Sequence, residues 1–241
     1  MEVSRIKDLY YVLMKNKLGN HKICKTLIRH GEIRVNDQVI TDVRYPVKAD
    51  DIIMYHHIQL NAQPFVYYMM NKPADYLCAN HDKYHQCVID LIGREDCYCL
   101  GRLDIDTTGL LIITNDTSLS KKLLLPQNHV NKKYYVTTKF PLKDELIKKF
   151  SDGVVIDHKV QCLPSLLEIL DEYHCLVTIN EGRYHQIKKM FKSCQNEVCT
   201  LKRIAFAGIE LDQKLALGEY RDLTSTELIT LLSIVRLIIC F

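Results

Sequence analysis

The chain contains no tryptophan, only nine glycines among its 241 residues, and no Cys-x-x-Cys pair despite ten cysteines. The nearest thiol spacings are Cys97/Cys99 and Cys194/Cys199, which are not the paired spacings of structural zinc sites. Met1-Glu2-Val3-Ser4-Arg5 leads into a polar, periodic segment and not into a signal peptide, so reduced cytosolic thiols are expected in place of disulfides. An excess of one charge is also missing. Lys plus Arg is 32 against 29 Asp plus Glu, a formal +3, which excludes a uniformly basic polycation and confines any nucleic-acid site to a local patch. No apolar run is long enough to span a bilayer. Leu228–Phe241 is the closest, but it has fourteen residues and contains Arg236, whereas a spanning helix needs about 20. It is expected to be a terminal helix packed on the body or on a partner. Internal repeats and low-complexity segments are absent.

With 47% hydrophobic and 25% charged residues, the composition is that of a globular chain, with room for one large domain or a medium and a small one. Its charge is uneven: residues 1–48 carry ten basic and five acidic side chains, a local +5, leaving −2 for the remainder. Within that basic stretch Ile6, Leu9, Tyr10 and Leu13 recur at helical spacing, predicting a helix over 5–15. Asn20 can cap a second helix that turns Ile23, Leu27 and Ile28 inward and stops at Gly31. Lys22, Lys25 and Arg29 then share one face. Asn36-Asp37 between two short apolar runs reads as a hairpin turn, with Arg34 on its first strand, and Asp51–Tyr55 adds another strand. The expected organisation is a module over 1–57, a linker over 58–64, a second domain over 65–230 and an apolar tail over 231–241.

The second domain mixes short strands (Phe65–Met70, Leu110–Thr114, Tyr134–Thr138, Leu166–Leu170, Cys175–Ile179) with few helices (Ser118–Leu125, Lys143–Phe150, His185–Ser193). This pattern predicts an α+β class with a largely antiparallel sheet. Three segments there concentrate polar chemistry. Gly101-Arg102-Leu103-Asp104-Ile105-Asp106-Thr107-Thr108-Gly109 sets several polar groups beside an apolar strand, as a site or as an ordinary turn. Glu181–Phe191 leads into the His185–Ser193 helix, with Ile187, Met190 and Phe191 on its apolar stripe. Lys188 lies on another face, either solvated or meeting a loop carboxylate that it would hold ionised. Lys132–Val136 is a strand whose adjacent Tyr134 and Tyr135 must point to opposite faces.

Together these segments resemble a known family. Asn71-Lys72-Pro73 with Tyr76 and Cys78, the Gly101–Leu110 segment, Lys132-x-Tyr134-x-Val136 and Glu181-Gly182-Arg183-Tyr184-His185-Gln186-Ile187-Lys188 look like four ordered motifs of the ribosomal small-subunit pseudouridine synthase A family. Leu201-x-Arg203 and Leu217–Thr224 look like its closing segments, and the N-terminal module is similar to the S4 RNA-binding domain. The resemblance covers nearly the whole chain up to about Ile229.

It implies a catalytic carboxylate at Asp104, a tyrosine against the target base at Tyr134 and a basic partner of the aspartate at Lys188. Ile187 would form an apolar wall, Arg102 would fill the gap left by a flipped uridine, and Thr107 and Lys72 would contact substrate. Lys22, Lys25, Arg29 and Arg34 would bind RNA. The implied reaction, isomerising uridine in 16S rRNA within an assembling small subunit, transfers no electrons or external groups and demands no cofactor; flipping the target nucleotide costs a few kcal/mol. A cytoplasmic monomer without membrane or metal is expected. Large-subunit rRNA and a non-catalytic assembly factor are the alternatives, and a zinc site at His81, His85 and Cys87 is disfavoured by its spacing. The sequence departs from the family pattern at Asp75, Thr117 and Ala207, where glycine is usual.

Overall fold

The computed structural model describes residues 7–48, 50–62, 65–117, 119, 123–125 and 128–239, with side chains described only as far as residue 234. It contains two compact units, Met1–Val66 and Tyr67–Phe241.

In the first unit β1 (Lys7–Asp8) pairs antiparallel with β4 (Pro46–Val47), and α1 (Leu9–Lys15) follows β1 directly. The helix expected from residue 5 therefore begins at Leu9, because strand pairing claims the two preceding residues; Arg5 and Ile6 lie outside the described residues. Leu9, Val12 and Leu13 form its buried stripe. In α2 (His21–Arg29) the Asn20 side chain accepts hydrogen bonds from the Lys22 and Ile23 amides at 3.0 and 3.1 Å, the expected cap. Ile28 is inward as expected and Leu27 is half-buried, but Cys24 takes the place expected of Ile23. Cys24 and Ile28, one turn apart, are fully buried, while Ile23 is 47% exposed. Lys22 and Arg29 are exposed, and Lys25 sets its ammonium 5.0 Å from the Tyr10 ring centroid. Asn36 and Asp37 both have positive φ (49° and 64°), which matches the right-handed twist of β2 (Ile33–Val35) and β3 (Gln38–Val39). Arg34 points outward from β2. The expected linker is shortened: Ile58–Leu60 forms β6, which pairs with β5 (Ile53–Tyr55) and completes a sheet ordered β3-β2-β5-β6.

The second unit is built on one mixed sheet, nine-stranded among the described residues. Its strands are β7 (Tyr67–Lys72), β8 (Tyr98–Leu100), β9 (Thr108–Thr114), β10 (Lys132–Thr138), β13 (Leu166–Ile169), β14 (His174–Ile179), β15 (Val198–Phe206), β16 (Ile209–Glu210) and β17 (Tyr220–Asp222). The main path runs β13-β14-β10-β15-β9-β7-β17, with β8 on β9 and β16 on β15; β11 (Val155–Ile156) and β12 (Val160–Gln161) form a separate ribbon. Every pairing is antiparallel except β15 with β9. The expected antiparallel α+β class holds with this one parallel junction. Helices α3 (Val88–Ile92), α4 (Glu145–Asp152) and α5 (Gln186–Ser193) accompany the sheet. Phe150 of α4 and Phe191 of α5 meet with ring centroids 5.1 Å apart, in a core shared with Val136, Cys175 and Val177. Helix α6 (Ser225–Ile239) crosses the expected boundary at residue 230, passing Thr230 close to Gly208 and burying Leu231 completely. No helix among the described residues is long and apolar enough to cross a membrane. Half of the helix expected over Ser118–Leu125, residues 118 and 120–122, lies outside the described residues.

Two of the three positions where glycine was expected keep a glycine-like backbone: Asp75 and Ala207 have φ of 67° and 54°. Thr117 has a helical backbone, for which glycine is not required. Gly109 is constrained more tightly. Its φ is +101°, and a Cβ there would lie 2.3 Å from the Arg203 carbonyl oxygen, so only glycine lets β9 approach β15 in parallel. Gly93, at the C-terminus of α3, has φ +66° but open space around it. Gly93→Ala is therefore expected to cost about 1 kcal/mol of strain. Gly109→Ala should cost roughly 3 kcal/mol or more, through clash as well as strain. At about 2–4 °C per kcal/mol, thermal unfolding of the two variants should separate them clearly.

Candidate active site

The loop between β8 and β9 carries the densest polar sequence, and a buried cation fixes its shape. Lys72, at the end of β7, is fully buried. Its ammonium donates to the carbonyls of Pro73 (2.8 Å), Ile105 (3.1 Å) and Thr107 (3.0 Å), which uses all three of its protons. Burial lowers the Lys72 pKa, opposed by Cys78 and Asp106. The same segment supports the loop twice more: the Asp75 amide donates to Ile105 O (2.9 Å), and the Leu103 amide donates to Cys78 Sγ (3.3 Å). Within the loop the Thr107 amide donates to Asp104 O (3.1 Å). Lys72, expected to contact substrate, thus has its ammonium engaged by the backbone. This placement contradicts that expectation.

So held, Asp104 faces the start of α5. Lys188 Nζ lies 3.1 Å from Asp104 Oδ2 and 2.6 Å from Asp106 Oδ1, so a single ammonium bridges both loop carboxylates. Burial alone would depress Lys188, but hydrogen bonds to Asp106 and Asp104 outweigh it and hold its pKa above the ordinary value. For Asp106 burial acts upward, and the hydrogen bond and charge of Lys188 win, leaving its pKa below the usual carboxylate range. The Asp106–Lys188 pair is therefore ionised on both sides through neutral pH. Its contribution is lost in acid as Asp106 protonates, and in strong base as Lys188 deprotonates. His185 approaches from the same turn, its Nε2 3.6 Å from Asp104 Oδ1 and its ring stacked on Tyr184 at 3.8 Å between centroids.

The turn before α5 is braced by Glu181. One carboxylate oxygen accepts from Leu163 N (2.9 Å) and Gln186 Nε2 (2.8 Å), and the other meets Arg183 Nε at 2.9 Å. Gln186 Oε1 in turn accepts the Arg183 amide. This places His185 at φ +53° and lets α5 begin with Lys188 aimed at the loop. Ile187 is buried against the core below.

Tyr134 of β10 is 7% exposed, whereas Tyr135 on the opposite face is half-buried. Burial raises the phenol pKa of Tyr134, opposed by the charge and hydrogen bond of Arg203, so the hydroxyl keeps its proton at neutral pH. Arg203 is itself buried in β15, with Nε donating to Leu110 O at 2.7 Å. These groups surround one open cleft of about 1140 Å³, lined by Arg102, Asp104, Thr107, Tyr134, Ile187 and Arg203 among others. Arg102 is exposed at its edge, while Thr107 is buried with no partner for its hydroxyl. The structure thus gathers Asp104, Tyr134, Lys188, Ile187, Thr107 and Arg102 in one region of the second unit. Sequence reasoning missed His185 and Arg203, although both lie within quoted motifs. No group of three potential metal-ligating side chains assembles among the described residues; His85 instead faces Asp82 at 3.0 Å.

Replacing Lys72 with Met retains volume but leaves three carbonyls without a donor. Lys72→Met should lower stability by roughly 2–4 kcal/mol, read by denaturant unfolding, where loss of a simple ligand contact would leave stability unchanged.

Residues 66–193 match the family described as RNA pseudouridylate synthase, and residues 17–53 match the S4 domain. The chain is 37% identical over 227 residues to an uncharacterized RNA pseudouridine synthase, YtzG, of Bacillus subtilis, covering 90% of this chain and 95% of that protein. It is 35% identical over 206 residues to the ribosomal small subunit pseudouridine synthase A of Escherichia coli, covering 83% and 89% respectively. A solved structure of a pseudouridylate synthase superimposes with a TM-score of 0.66 at 30% identity, covering 94% of this chain and all of the other. The chain belongs to the RNA pseudouridylate synthase family and carries an S4 domain at its N-terminus.

Proposed function

We propose that the protein isomerises one uridine of 16S rRNA to pseudouridine, with Asp104 as the catalytic carboxylate. The observation that carries this reading is the Asp104–Lys188 pair, whose aspartate lines the cleft with a buried Tyr134, in a chain 35% identical to a ribosomal small subunit pseudouridine synthase A. The reaction breaks the bond from N1 to the ribose C1′, turns the uracil and joins its C5 to C1′; C5 loses its hydrogen as a proton and N1 takes one up. Reactant and product are isomers, so the chain's own side chains supply what the reaction needs.

Lys188 pairs with Asp104 Oδ2 and leaves Oδ1 toward His185. A carboxylate so placed can attack the substrate, or stabilise the positive charge that develops as the glycosidic bond lengthens. Tyr134, kept as a phenol, offers a packing face for the base and a proton to give, whereas a phenolate would take one. Ile187 closes the floor, and Arg102 at the edge is placed to enter the stack that the flipped nucleotide leaves. Lys22, Lys25, Arg29 and Arg34 of the S4 unit supply phosphate contacts that position the RNA without reading its sequence. The substrate is an assembling small subunit, approached by a cytoplasmic monomer; the names of the relatives support the small-subunit choice.

Tritium release from rRNA labelled at uridine C5, on free RNA and on assembling subunits, tests this reading. Wild-type protein should release tritium, with one modified position in 16S rRNA, and Asp104→Asn should lose at least about a thousandfold in rate. Release by Asp104→Asn at the wild-type rate would remove Asp104 from the chemistry. Tyr134→Phe should keep KM within about threefold while kcat falls roughly tenfold to a thousandfold, since only the hydroxyl is lost.

A further inference from the structure

The cleft wall contains two thiols that the isomerisation does not use. Cys78 follows β7 in the segment that braces the Asp104 loop, and Cys99 lies in the middle of β8, the strand leading into that loop. Both are partly accessible, both line the cleft, and their side chains lie within interaction range of one another. Cys78 Sγ also accepts the Leu103 amide at 3.3 Å, one residue before Asp104. The buried thiols, Cys24, Cys87, Cys97, Cys162 and Cys175, do not line this cleft.

We propose that Cys78 and Cys99 form an oxidation site for small hydroperoxides, closing to a disulfide that loosens the Asp104 loop. The Cys99 hydrogen bond pulls the Cys78 thiol down to about 7 against the upward push of burial, helped by the Leu103 amide and the Lys72 charge; Cys99 is correspondingly raised. Because the Leu103 amide donates to Cys78 Sγ and would stabilise a thiolate there, Cys78 is the nucleophile of the pair and Cys99 the resolving thiol. Cys78 sulfur attacks the terminal peroxide oxygen, the O–O bond breaks, an alcohol or water leaves, and a sulfenic acid remains. Cys99 sulfur then attacks Cys78 sulfur; the S–S bond forms, the S–O bond breaks, and the hydroxide departs with the Cys99 proton as water. Two electrons pass from the thiol pair to one hydroperoxide. The disulfide sulfur carries no charge and is drawn toward β8, so the Leu103 amide loses its acceptor beside Asp104.

Only the activity readout rests on the function proposed above. The full chain treated with hydrogen peroxide should yield a cross-linked peptide pair containing Cys78 and Cys99, lighter by two hydrogen atoms. Deuterium uptake over residues 101–106 should rise several-fold in the linked protein and return to its original rate with dithiothreitol. In Cys99→Ala the same treatment should leave a sulfenic acid at Cys78 that dimedone traps. Tritium release by the linked protein should fall roughly tenfold to a hundredfold against its own untreated rate, as expected for a displaced catalytic group, and recover on reduction. Peroxide that oxidises the exposed Cys199 but leaves Cys78 and Cys99 as thiols overturns the proposal. So does a linked protein with unchanged uptake over 101–106. Absence of tritium release before any treatment counts against the activity reading alone, because the mass and exchange measurements need no turnover.

Discussion

The second unit depends on a lysine that never reaches water. Lys72 gathers three carbonyls from two segments about 35 residues apart, and no neutral side chain of that length could satisfy them all. A buried ammonium is costly unless every proton is engaged, and here every one is. The arrangement gives the Asp104 loop a rigid base of protein atoms, so its carboxylates need not reorganise to be in place. The Asp75 amide and the Cys78 sulfur extend the same support on either side. Lys72, Asp75 and Cys78 thus each support a loop that begins more than twenty residues later.

Across the cleft the matching construction is acidic. Glu181 binds an amide, a side-chain amide and a guanidinium, which fixes the turn that starts α5 and sends Lys188 toward the loop. Two braced turns therefore face each other, one presenting carboxylates and one an ammonium. One ammonium thus serves two carboxylates, and Asp104 and Asp106 differ in exposure. Asp106 is 64% exposed and takes the shorter contact with Lys188, while Asp104 is 26% exposed and keeps an oxygen toward the cleft.

Much of this was legible in the sequence where local chemistry decides structure. Asn20 caps its helix and Asn36-Asp37 turns its hairpin because short side chains at those positions satisfy the backbone directly. Asp104, Tyr134 and Lys188 were legible only through ordered motifs, since nothing in periodicity shows that residues 84 positions apart will meet at 3.1 Å. Strand β15 was missed because Lys202 and Arg203 interrupt its apolar pattern, and Arg203 is nonetheless buried against Leu110 and Tyr134. Lys72 was misread for a related reason: lysine is seldom buried, and the carbonyls that bury it come from a distant loop. Ile23 and Cys24 exchanged places because helical spacing alone fits either stripe, and the packing of α2 on its neighbours chose the smaller side chain. Asp75 and Ala207 show that positive φ can persist without glycine when surrounding hydrogen bonds enforce it.

The position of β15 has a consequence for how the chain matures during synthesis. This strand comes late in the sequence yet lies between β10 and β9, the centre of the sheet path. Until it emerges from the translating ribosome, the sheet exists as two fragments, β13-β14-β10 on one side and β9 with β7 and β8 on the other, each with an unpaired central edge. Such edges are templates for mispairing, and closing them requires contacts between residues far apart in sequence. The nascent unit is thus at its most vulnerable just before residues 198–206 appear. Asp104 and Lys188 have both been made by then, but the strand that brings their halves of the sheet into register has not.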